Sequence, residues 1–158
     1  MFREVVRKKQ AMTREACIAL LTQETRGVLA VQGDDGYPYA VPTNHYYDAE
    51  TGLLLFHSGK SGHKVDAFRN SDKVSYCVTD EGVRMEGDWA KTYRSVIVFG
   101  RVRTLESFDE AMDMVRRLSL QFTRDTDYIE YEIEHFGEET LVFAIVPEHI
   151  TGKTIREA

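Results

Sequence analysis

Pro38 and Pro42 sit inside a run that otherwise reads as strand, Tyr37-Pro38-Tyr39-Ala40-Val41-Pro42-Thr43-Asn44-His45-Tyr46-Tyr47. A proline has no backbone N–H to give a sheet ladder, so this run cannot be a fully paired central strand. It must lie at an edge or be interrupted by a bulge. An edge that is not paired along its length leaves carbonyls and amides free for a ligand. Gly33-Asp34-Asp35-Gly36 precedes the run and signals a hairpin, because Asp and Gly tolerate the positive φ of such turns. After it, Asp48-Ala49-Glu50-Thr51-Gly52 turns the chain into Leu53-Leu54-Leu55-Phe56, an apolar run that predicts a buried strand.

The remaining strand signals are Val28 to Val31, the alternating Lys73 to Thr79, the long Tyr93 to Leu105, and Leu141 to Val146, with His149 to Lys153 as a tail. Gly100 marks a bulge or a close backbone approach. Thr13 caps a helix to about Glu24 that aligns Cys17, Leu20 and Leu21. Ser61 to Arg69 predicts a short helix with Val65 and Phe68 inward. Ser107 and Glu110 form a capping box that opens a helix carrying Phe108, Ala111, Met112, Val115, Leu118 and Phe122 on one face. Asp127 to Phe136 predicts another helix, ended by Gly137. Residues 80–92, with Met85 and Trp89, form the longest irregular segment, a lid or a partner-contacting loop.

Strands joined by hairpins, without regular helix alternation, argue against a doubly wound parallel sheet. The expected fold is mainly β with flanking α: a six-stranded antiparallel barrel, closed or split, with peripheral helices. No repeat or linker divides residues 1–158, so one domain is expected. A net charge of −6 argues against nucleic-acid binding through a broad basic face. Any positive cluster is therefore local, which suits a small anion. Cys17 and Cys77 read as small core residues, no apolar run is long enough to span a membrane, and residues 1–12 read as a solvated arm. A cytoplasmic location is expected.

The local positive cluster is Gly59-Lys60-Ser61-Gly62-His63-Lys64, at the end of the Leu53–Ser58 strand. Hydroxyls of Ser58 and Ser61, free amides at a helix start and the Lys64 ammonium together suit a phosphate. A surface turn with two lysines is the bland alternative. The five histidines show no metal-ligand spacing, so no metal site is expected. There is no Gly-x-Ser-x-Gly elbow and no Gly-x-Gly-x-x-Gly fingerprint, which removes an esterase-type nucleophile and a Rossmann dinucleotide site.

Three segments in this order resemble the FMN-binding split-barrel superfamily related to pyridoxamine phosphate oxidase, and within it the nitroimidazole-resistance (Nim-type) branch. They are Gly36 to Asn44, Leu55 to Lys64, and Tyr93 to Gly100; with the leading helix they span roughly residues 5–147. The resemblance implies a homodimer with FMN at the subunit interface. Val41, Pro42, Thr43 and Asn44 would line the isoalloxazine ring. His57, Ser58, Gly59 and Lys60, with His63 and Lys64, would hold the ribityl phosphate end. Trp89, Tyr93, Ser95 and Val96 would come from the other subunit.

The implied activity is that of an FMN-dependent oxidoreductase, a nitroreductase fed by a transient nicotinamide donor. His57, then His45, are the candidates for a polar group beside a small-molecule acceptor. The chain departs from the pyridoxamine-phosphate oxidases in its ending, Thr154-Ile155-Arg156-Glu157-Ala158, and in having Trp89 as its sole tryptophan. That activity is therefore not expected. The rival class is a non-catalytic flavin or haem binder acting as sensor, carrier or store, and a deazaflavin-using relative is a third possibility.

Overall fold

The computed structural model describes residues 1–157. Helix α1 (Arg14–Gln23) leads into β1 (Arg26–Gln32), β2 (Pro38–Asn44), β3 (Tyr46–Asp48) and β4 (Leu53–Gly59). Helix α2 (His63–Asn70) is followed by β5 (Lys73–Thr79), β6 (Val83–Arg84) and β7 (Lys91–Thr104). Helices α3 (Phe108–Ser119) and α4 (Thr126–Phe136) precede the last strand, β8 (Thr140–Glu157). The strands form one antiparallel sheet in the order β2-β1-β5-β7-β8-β4-β3, with β6 beside β7.

That order explains the shape. The two end strands of the path, β2 and β3, are consecutive in the chain and separated only by His45. The sheet must curl until its edges meet at that residue, giving a split barrel. The expected six strands are all present; the Tyr37–Tyr47 run breaks at His45 into two, and the short β6 falls in the segment expected to be irregular. The prolines act as anticipated, since β2 is an end strand paired on one side by β1.

The His149–Lys153 tail is instead strand. β8 runs on to Glu157 along β7, and a register shift between Phe99 and Gly100 absorbs the extra residue near Pro147. Gly100 is required there, because a β-carbon on it would lie 2.4 Å from the Val146 carbonyl oxygen. The N-terminal residues are not simply a solvated arm: Phe2 stacks on His149 at 5.1 Å and on Phe99 at 5.6 Å.

The barrel interior is filled by Leu29, Tyr76, Val96, Val98, Phe143 and their neighbours, and α1 adds Cys17, Leu20 and Leu21. Phe56 stacks on Phe143, with centroids 4.9 Å apart, and meets Tyr76 edge-on at 5.0 Å. A second cluster, with Met112, Ile129, Ile133 and Val142, fastens α3 and α4 to β8. Arg116 bridges the two helices through Glu130 at 2.6 Å. Phe108 and Phe122, expected on the apolar face, are about half exposed. The helix stops at Ser119, so Phe122 leaves its face. Cys77 is also displaced from the expected core, onto the outer sheet face opposite Val28.

His45 holds the corner. None of its surface reaches solvent. Its backbone N–H donates to the Thr25 carbonyl (2.9 Å), and its carbonyl accepts from Gln121 Nε2 (3.0 Å). Leu21 O, 2.8 Å from Nε2, can only accept, so Nε2 carries the proton of the neutral ring. Nδ1 then accepts from the Tyr76 hydroxyl at 3.0 Å, and that one proton is shared with the Thr43 carbonyl at 2.9 Å. Gly27 lets the tyrosine in: a β-carbon there would lie 2.8 Å from the hydroxyl oxygen.

Burial holds the His45 imidazole below its ordinary 6.5, against the opposing pull of the Leu21 carbonyl. The unfolded chain therefore binds a proton there at higher pH than the folded one. Stability contributed by neutral His45 is complete above pH 6.5 and is lost as pH falls below it. Urea unfolding at stepwise lower pH should show this fall, with a shallower slope in His45→Leu. Tyr76→Phe should cost about 1–3 kcal/mol at neutral pH, because it strips partners from two buried acceptors.

Candidate functional site

The split in the barrel lies between β2 and β4. The β3–β4 register pairs Tyr46 with Leu55; continued through the corner, it sets His45 opposite Phe56 and Asn44 opposite His57. Strand alternation then separates the two histidines. His45 and Phe56 point into the core, while Asn44 and His57 both line a cleft outside it. His45 accordingly has no atom with which to touch a substrate, and its candidacy beside the acceptor is withdrawn. Its imidazole is spent on Leu21 and Tyr76.

The same parity sorts the other β2 residues. Val41 packs against the core and Thr43 is half-buried, while Pro42 lies on the exposed side. From β2, then, Pro42 and Asn44 present side chains outward, and Val41 and Thr43 would reach a ligand mainly through the backbone. Asn44 is held in place by Arg26, whose Nη1 donates to Oδ1 at 3.0 Å.

Residues Ser58 to Lys64 wrap from β4 into α2. The Ser58 hydroxyl donates to the Gly59 carbonyl at 3.0 Å. Gly62 adopts φ +120°, a conformation that favours glycine, and no side chain caps α2 behind it. The His63 and Lys64 amides are thus open to an anion, while Val65 N–H already donates to the Gly62 carbonyl at 2.9 Å. A β-carbon added at Gly59 or Gly62 would meet nothing, so the backbone there is approachable. Lys60 and Ser61 are exposed beside it.

His63 stacks on Tyr39 at 4.1 Å, with Nε2 3.6 Å from the Asp34 carboxylate. Lys64 Nζ lies 5.6 Å from the Phe143 ring centre. Burial lowers the Lys64 pKa, and among the described residues no carboxylate opposes it. A half-buried ammonium without an anion is what a phosphate would stabilise. The His57 imidazole is also held below its ordinary value, first by burial and then by the Lys64 charge. His57 is nonetheless exposed, and it lines the cleft.

The cleft itself has a volume of about 260 Å³ and lies between α3, α4 and the strand pair. Beyond Asn44 and His57 it is formed by side chains the sequence reading did not single out for a site, among them Tyr128, Glu132 and Phe136. The available signal was the aromatic residues of α4 that find no place in its apolar stripe. Tyr128 and Phe136 are 54% and 51% exposed.

The third segment is not brought to this place. Strands β1 and β5 separate β7 from β2. Trp89 is exposed on the loop before β7, anchored by Asp88 to Arg156 at 2.6 Å. Tyr93 covers Gly82 and Ser95 is half-buried, both on the outer face. Val96 has the opposite parity and is fully buried, so its side chain is core and unavailable to a ligand from any subunit.

Comparison with known proteins agrees with this architecture. A protein assigned to 5-nitroimidazole antibiotic resistance from Bacteroides thetaiotaomicron superposes with TM-score 0.76 at 18% identity, over 92% of this chain and 87% of that one. A FAD-binding protein from Mesorhizobium loti gives 0.66 at 22% identity, over 92% and 97% of the two chains. A FAD- and haem-binding protein from Mycobacterium smegmatis gives 0.72 at 21%, over 95% and 74%. No curated protein matches the sequence. The family model described as pyridoxamine 5'-phosphate oxidase matches residues 13–154, nearly the whole sequence, and the chain belongs to that family.

Proposed function

We propose that this chain is an FMN-dependent oxidoreductase of the cytoplasm, working as a homodimer with its flavin at the subunit interface. The observation that carries the reading is the uncapped start of α2, with Gly62 at φ +120° and the unpaired, half-buried Lys64 beside it. These residues fit the phosphate end of a flavin mononucleotide. Asn44, Pro42 and the free edge of β2 suit its ring. The flavin-binding proteins among the structural relatives support the cofactor class. Bound flavin supplies the electron transfer, from a nicotinamide donor to a small electrophile such as a nitroaromatic. The protein's part is to orient the ring, exclude water and keep His57 neutral beside the acceptor.

The dimer is supported by the outer face of the sheet. Pro42, Val28, Cys77, Ile97 and Thr151 form one continuous row across five strands, and Ala40, Ala30, Ser75, Phe99 and His149 the next. Val28, Ile97 and Phe99 are each about 40% exposed there. A second copy seated on these rows would cover apolar surface that starts at the flavin strand itself. It would also bring Tyr93, Ser95 and the Trp89 loop, which share that side, toward the partner's β2.

Purified protein mixed with FMN should retain the two-band flavin spectrum after desalting; a Soret band, or loss of all colour, would refute the cofactor assignment. Lys64→Ala should weaken FMN binding about tenfold or more while the fold survives, because it removes a charge-assisted contact to phosphate. Val28→Asp with Ile97→Asp should yield monomers that no longer hold FMN. Monomers that hold it as tightly would show the site complete in one chain. Anaerobic turnover with a nicotinamide donor and a nitroimidazole tests the activity itself.

A further inference from the structure

The α3–α4 cleft has a composition unlike the phosphate end of the site. Its walls are the side chains of Met112, Leu118, Ile129 and Ile133, all at most 8% exposed, and all but Leu118 belong to the helical cluster. Its rim carries three rings, Phe122, Tyr128 and Phe136, each about half exposed. Large aromatic side chains gathered round an apolar hollow, rather than scattered singly, mark a binding surface. The volume of about 260 Å³ falls just below the range of about 300 to 1,000 Å³ usual for ligand pockets. It admits a single ring with a substituent and is too small for a dinucleotide.

Charge narrows the occupant further. Among the described residues, no Lys or Arg lines the cleft, and its one ionised side chain is Glu132. Glu132 lies one helical turn beyond Tyr128, and its negative charge, followed by burial, raises the phenol pKa. Arg116, on the facing helix α3, is taken by Glu130. The opposite polar group is His57, uncharged and flanked by Asn44. An anion entering the cleft would meet a carboxylate with no cation to offset it. A ligand nitrogen bearing hydrogen would find an acceptor in Glu132 and ring faces around it, an arrangement that also favours a cation.

We infer that this cleft is the acceptor pocket, selecting a flat single-ring molecule that offers an N–H or protonated nitrogen and carries no anionic group, with Glu132 as the charge-discriminating residue. The role as acceptor pocket rests on the proposed flavin site; the ligand preference does not. His57 lies at once in the cleft and beside Lys64, so a ring held here sits next to the proposed cofactor edge. The selectivity also gives a physical reason for turning away phosphorylated or carboxylated substrates: the cation that could hold a phosphate, Lys64, lies outside the cleft.

Three probes of one shape test this by calorimetry on the full chain, with and without FMN: benzylamine as cation, benzyl alcohol as neutral donor, and benzoate as anion. Benzylamine should bind best and benzoate not at all, in both states. Glu132→Gln should weaken benzylamine about fivefold with benzyl alcohol little changed, as expected for losing one partly exposed ion pair. Glu132→Lys should admit benzoate. Equal binding of all three probes, or binding of none, overturns the inference. Displacement of benzylamine by FMN overturns it too, since the cleft would then belong to the flavin. FMN binding is read separately from the flavin spectrum, so a failed cofactor assignment with intact benzylamine binding is told apart from a failed pocket.

Discussion

The buried contact of His45 with Leu21, Thr25, Tyr76 and Gln121 is the joint on which this barrel closes. The sheet's two edge strands, β2 and β3, have no ladder between them. What brings them together is one residue of chain, pinned from α1, from the start of β1, from β5 and from the end of α3. An imidazole suits this place because it is flat, carries polar atoms at both ends, and can stay neutral under burial. Losing any one partner strands another buried polar atom, which is the costly direction for a hydrogen bond to fail.

The joint also creates the site. Because β2 is tied to the rest at its C-terminal end, the backbone edge opened by Pro38 and Pro42 stays beside β4 without pairing to it. Asn44 and His57 face one another across that split, and Gly59 to Lys64 closes its far end. Three features converge there: a free edge, open helix-start amides and an unpaired ammonium. Each alone is weak. Their adjacency, with an aromatic cleft on one side and an apolar sheet face on the other, gives the proposed cofactor, substrate and partner separate places around one strand.

Much of this was legible in the sequence, for identifiable reasons. The prolines forced an edge strand, Thr13 and Ser107 announced their helices, and Gly100 announced a close approach, because each leaves few backbone options. The misplacements share a cause as well. The chemistry of His45 suggests a ligand-facing group, although the parity of Tyr39, Val41, Thr43 and Tyr47 puts it inside. Val96 was harder: Val96-Ile97-Val98-Phe99 is apolar on both faces, so alternation has nothing to report. The continuation of β8 was hidden by Pro147, beside which a register shift takes up the extra residue, and by Gly152, which makes room for the Cys17 sulfur. The acceptor cleft draws on two strands and two helices distant in sequence, and no local pattern encodes such a meeting.

Hydrogen exchange on the chain with and without FMN tests the central claim most directly, since the claim is about which backbone segments the cofactor covers. FMN should slow exchange at the amides of Ala40 to Asn44 and of Gly59 to Lys64, and, through the partner subunit, in the segment from Trp89 to Ser95. Protection confined to other strands, with these amides exchanging as before, would contradict the account.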